Sequence, residues 1–222
     1  MSDPNVYAAP ESEILPVAEG YRDSVALSQS LKLWLKIYLA ISVLGLALIA
    51  LFQLEIIPDP EITYLIESIH TGFSEIAYIV CIVLFSKWIH RSNKNASYFN
   101  LYPMRYSAGW SVGYYFIPIL NLFRPYQAMK DIWLGSITPG HNAKHTQVKV
   151  WWTLWIFETL TESVSSNFEE HSIVSICISA LTCVLLIFLC ISAIKMVTTI
   201  TSNQAALASD PPESIDTVAE PV

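Results

Sequence analysis

Long apolar runs joined by short polar links set the reading of this chain. Four runs have the length and composition of membrane crossings, at about residues 31–54, 66–89, 150–166 and 173–200. A helix rises about 1.5 Å per residue, so about 20 apolar residues cross about 30 Å of hydrocarbon. The first run is flanked by Lys32 and Lys36, with Trp34 and Tyr38 at interface level. The second opens with Glu67, His70 and Glu75 and closes on Lys87, Trp88, His90 and Arg91. The third begins with Trp151, Trp152 and Trp155, then turns polar through Glu158, Thr159, Thr161 and Glu162. The fourth is interrupted only by Lys195. The pattern predicts an all-α integral membrane protein with four transmembrane helices.

Residues 107–135 depart from that pattern. Ser107 to Phe123 supplies only about 17 residues for a crossing, which is marginal. Pro118 removes a backbone donor, Asn121 follows it, and Arg124-Pro125 closes the run. On a helix from Arg124, the residues Leu122, Tyr126, Met129 and Trp133 would share a face, with Arg124, Gln127, Lys130 and Asp131 directed elsewhere. This predicts a broken, re-entrant or interfacial helical element. Charge placement supports that threading. If the element enters and leaves on one side, all 12 Lys and Arg fall on that side. The opposite links then hold Glu55, Asp59, Glu61, Glu169 and Glu170. The positive-inside rule puts the basic side, and both termini, in the cytoplasm. The alternative, a kinked fifth crossing, would split the basic residues between the two sides.

Composition narrows the classes. Hydrophobic residues make up 53% and charged residues 14%, against about 25% charged in soluble domains. A net charge of −7 lacks the basic footprint of nucleic-acid binding. Residues 1–28 and 201–222 are polar and acidic and read as disordered cytoplasmic tails around a membrane domain at 29–200. The start has no basic-then-apolar signal pattern, so the first crossing acts as an uncleaved anchor. Cys81, Cys177, Cys183 and Cys190 all lie in apolar runs without C-x-x-C spacing, which favours packing over disulfide or zinc chemistry.

Two residue sets carry candidate chemistry. In the break, Trp110, Pro118, Asn121, Arg124, Tyr126, Gln127 and Lys130 form a candidate lipid or ligand site. Proline frees an upstream carbonyl, the Asn121 amide offers partners, and Arg124 suits a phosphate headgroup. The second set is Glu75, Glu158 and Glu162. Helical rise puts them about 18, 13 and 20 Å above the basic edge, with Glu158 and Glu162 on one face. Ionised carboxylates at that depth are costly, which makes them a candidate proton or cation site. Glu67-x-x-His70 has one half of a di-metal spacing and lacks the rest. No catalytic residue, metal or cofactor is expected, and the balance leans away from an enzyme. Expected partners are the bilayer with its anionic headgroups, and a second copy or another membrane protein. The first-choice function is non-enzymatic binding of lipid or a membrane partner through 107–133. The alternative is a small transporter or a proton- or cation-coupled component.

Trp110, Gly113, Phe116-Ile117-Pro118, Asn121-Leu122, the run Arg124 to Met129, and Trp133 resemble the signature of the bacterial domain-of-unknown-function family 4328. That signature runs W-x-V-G-W-x-F-I-P-x-x-N-L-x-R-P-Y-Q-x-M-x-x-x-W. Trp88, Arg91 and Asn95 resemble its W-x-x-R-x-x-x-N opening. Tyr114-Tyr115 departs from it where tryptophan is frequent and keeps an interfacial aromatic. The resemblance implies a small multi-pass protein of the bacterial inner membrane and brings no activity with it.

Overall fold

The computed structural model describes residues 20–53, 59–138, 144–165, 168 and 172–210. They are all-helical, with no strand among them. Four long helices, α1 (Val25–Gln53), α2 (Pro60–Phe99), α5 (Thr146–Ser165) and α6 (Ile173–Ser209), frame a central segment. That segment holds α3 (Ala108–Gly113), two single 3₁₀ turns (Tyr114–Phe116 and Leu120–Leu122) and α4 (Arg124–Leu134). Helices α1, α2 and α6 are long and apolar enough to cross a membrane. Helix α5, the expected third crossing, is 20 residues long. Lys149, Glu158 and Glu162 lower its apolar character.

Local chemistry explains the helix ends. The Asp59 carboxylate accepts from the backbone N–H of Glu61 and Ile62, and Pro60 occupies the first turn, where its missing donor costs nothing. Asn100 ends α2 at φ 51°, a left-handed conformation that asparagine tolerates, and its N–H reaches Ala96 O. Ser172 caps α6 through the N–H of Ser175. Ser107 caps α3 through the N–H of Trp110.

The helices overrun the boundaries expected from hydropathy. Helix α1 begins at Val25, inside the stretch read as a tail, and α6 continues past residue 200 to Ser209. Tertiary bonds hold both extensions. The Arg22 N–H donates to Asn95 Oδ1 at 3.1 Å, and Asn95 Nδ2 donates to Arg22 O at 3.0 Å. Gln204, on the α6 extension, is fully buried. Residues 1–19 and 211–222, also read as tails, lie outside the described residues.

Helix α2 has 40 residues and α6 has 37. At about 1.5 Å per residue they reach about 60 and 55 Å, well beyond about 30 Å of hydrocarbon. Their surplus lies at one end of the bundle, which is also where the core is densest. Leu31, Trp88, Met129, Ile132, Val148, Met196 and Val197 are essentially inaccessible there. Phe85 stacks on Trp88 and tilts against Trp151, and Trp152 stacks on Trp155. At the far end Leu44, Leu51, Ile62, Leu65 and Phe73 stand exposed.

Amides and hydroxyls close the packed end. Gln204 Nε2 donates to Ser92 O and to Ser136 Oγ, both at 2.9 Å, while its Oε1 accepts from Asn95 Nδ2 at 3.1 Å. Trp88 Nε1 donates to Thr201 Oγ1 at 3.0 Å. Asn93 Nδ2 donates to Tyr106 O and Ser111 Oγ, tying the link after α2 to α3. This polar layer joins the residues before α1, the end of α2, α3, the turn after α4 and the end of α6.

Candidate functional site

The central segment is broken where the sequence reading placed the break. Helix α3 ends at Gly113, and the two 3₁₀ turns flank Ile117, Pro118 and Ile119. Ile119 holds φ 68°, a region a β-branched side chain strongly disfavours. Such a residue costs about 1–3 kcal/mol, so its surroundings must impose the conformation. Its side chain is 72% exposed, as are those of Phe116 and Leu122 in part. The turn therefore points an apolar tip outward.

Arg124 holds the base of this turn. Its Nη1 donates to Tyr106 Oη, which in turn donates to Gln127 Oε1. The guanidinium carbon lies 5.6 Å from the ring centres of Tyr106 and Phe123 and 5.9 Å from that of Tyr114, within cation–π range. Arg124 thus braces the break from within. Trp110 stacks on Tyr114 at 5.3 Å and is otherwise exposed. Tyr126 packs half-buried against the core, and Lys130 is half-buried on α4.

Helix α4 carries a pair that sequence reasoning missed. Asp131, expected on an outward face, is fully buried. It accepts from Arg105 Nη2 at 2.7 Å, from Arg105 Nε at 2.9 Å and from the Arg105 backbone N–H at 3.3 Å. Those bonds push the Arg105 guanidinium pKa further up. Arg105, in the link between α2 and α3, supplies all three of these donors. Leu122 lies outside α4, while Met129 and Trp133 are buried as their shared face predicts.

The three glutamates and one residue of the break set, Asn121, line the same cleft. This cleft, of about 990 Å³, opens between the four long helices above the break. Glu75 enters from α2, Glu158 and Glu162 from α5, and Asn121, Tyr115 and Phe116 from the break. Tyr38 and Tyr78 sit on α1 and α2 with ring centres 5.8 Å apart. Glu158 is within electrostatic reach of Glu162 and of both tyrosines. Among the described residues lining the cleft there is no lysine or arginine. Trp110, Pro118, Arg124, Tyr126, Gln127 and Lys130 do not line it.

His70 borders the cleft, and its Nε2 bonds Ile41 O at 2.9 Å. Gly45 leaves room for that ring, since a Cβ there would meet it at 2.5 Å. Glu67 and His70 gather no metal-binding group with other described residues. The cysteines are free; Cys81, Cys183 and Cys190 are buried, and Cys177 is exposed on α6.

No curated protein and no solved structure matches the chain. A family profile does match, over residues 62–202, from the start of α2 to the polar layer on α6. That stretch holds the break, Arg124 and all three cleft glutamates, and it covers more than half of the 222 residues. The chain belongs to the family described as a domain of unknown function, DUF4328.

Proposed function

We propose that this is a four-crossing membrane protein that binds a ligand drawn from the bilayer in the cleft above the break. Helices α1, α2, α5 and α6 are the crossings, and the segment 107–135 enters and leaves on the side of both termini. That side is cytoplasmic, in the inner membrane of a bacterium. Support for the threading comes from the bonds that gather Arg22, Asn95 and Gln204 at one end. Helix α5, at 20 residues, has the length of one crossing. A thiol test checks it. With the native cysteines replaced, a cysteine at Thr63 reacts with an impermeant maleimide from outside intact cells, and those at Tyr102 and Thr138, before and after the break, only from inside. Outside labelling at Thr138 with Tyr102 still inside would make the break a full crossing.

One observation carries the binding reading: the break and all four long helices line the same cleft. At about 990 Å³ it has the size of pockets that hold drug-sized molecules. The role of the 107–133 element is then to floor a binding site, with Arg124 as a positioning residue. Binding is the whole activity proposed. Native mass spectrometry in mild detergent tests this. The chain should retain an added mass, and Ser42→Phe or Thr182→Phe, each filling the cleft from a different helix, should expel it. A bare chain, or a mass both variants keep, overturns the reading.

A further inference from the structure

We propose that the cleft takes a lipophilic cation, a molecule whose positive charge is spread within an apolar body. The proposal rests on the cleft-binding reading above and names its ligand class.

Charge is the first argument. Glu75 faces the cleft from α2, and Glu158 and Glu162 face it from α5. No lysine or arginine among the described lining residues neutralises them, and the ring of His70 donates to a backbone carbonyl. Carboxylates inside a membrane are expensive to keep ionised without a partner. A cation in the cleft supplies that partner, whereas a phosphate or carboxylate ligand would be repelled.

The walls argue for a diffuse charge rather than a compact ion. No three acidic, histidine or cysteine side chains among the described residues come close enough together to hold a metal ion. The carboxylates are distributed around a volume of about 990 Å³. Between them stand the rings of Tyr38, Tyr78 and Trp155, whose faces attract cations. Two polar groups in the wall also lack a partner. The hydroxyl oxygens of Tyr115 and Thr182 are buried, both residues line the cleft, and neither finds a hydrogen bond within the protein. Buried hydroxyls are normally satisfied. An oxygen dipole turned toward a cation gives each of them a partner.

Tetraphenylphosphonium and tetraphenylborate share one shape and carry opposite charges, which isolates the claim. The full chain in an uncharged detergent is dialysed to equilibrium against each. Tetraphenylphosphonium should bind saturably, one per chain, and tetraphenylborate should neither bind there nor displace it. Glu158→Gln, close in shape to the native side chain, should weaken phosphonium binding roughly tenfold or more. Equal binding of the two ions overturns the cation class, as does unchanged affinity in the Glu75→Gln, Glu158→Gln double variant. If phosphonium fails to bind while Ser42→Phe still expels the retained mass, only the ligand class falls. If neither responds to Ser42→Phe, the cleft reading falls with it.

Discussion

Replacing Gln204 with leucine lowers the stability of the folded protein by about 3 kcal/mol, read as a shift in the midpoint of detergent or thermal unfolding. Leucine is close in volume, so packing survives and the loss is polar. Gln204 is wholly buried and has three partners: Asn95 and Ser92 on α2, and Ser136 in the turn after α4. Stranding such groups costs about 1–3 kcal/mol each. Asn95 retains Arg22 O, and Ser136 Oγ retains Ile132 O, which keeps the sum below three full penalties. A midpoint unchanged within about 0.5 kcal/mol would show that the polar layer is incidental.

Arg105→Ala costs about 3 kcal/mol by the same assay, because it leaves the Asp131 carboxylate buried and alone. The Arg105 side chain is 45% exposed and Asp131 1%, so desolvation falls almost entirely on the acid. Arg105→Lys should not restore stability, since an ammonium cannot span both carboxylate oxygens as the fork does. The combination Arg105→Met with Asp131→Leu should recover most of the loss, as apolar replacement of buried pairs does elsewhere. A double variant no more stable than Arg105→Ala would mean that the damage arises from the Arg105 stem or the link around it.

Hydropathy alone was enough for α1, α2 and α6, because a crossing is a property of about 20 consecutive residues. The break was equally legible, since Pro118, Asn121 and Arg124-Pro125 act through their own backbone. Counting helical rise put Glu75, Glu158 and Glu162 at similar depth, and they line one cleft. Pairings between distant segments were not legible. Asp131 beside Lys130 on an amphipathic helix reads as a solvated charge, and its partner Arg105 lies 26 residues away. Trp88 to Thr201 and Asn95 to Gln204 span 113 and 109 positions. The far end of α6 did leave a local sign. Met196, Ile200, Gln204 and Leu207 recur at helical spacing and are all buried, but the polar composition after residue 200 hid the continuation. Arg124 was read by its charge, when its aromatic neighbours 18 or fewer residues away already made a brace.

The reach of those pairings bears on how the protein is made. Trp88 and Asn95 leave the ribosome well before their partners Thr201 and Gln204. At about 5–20 residues per second, the 113 positions from Trp88 to Thr201 take about 6–20 s to synthesise. Throughout that interval the Trp88 indole lacks its Thr201 partner and the Asn95 amide lacks Gln204. A chain truncated before Gln204 lacks the amide that joins Asn95, Ser92 and Ser136. The last turns of α6 therefore supply the closing bonds of the packed end last in the order of synthesis.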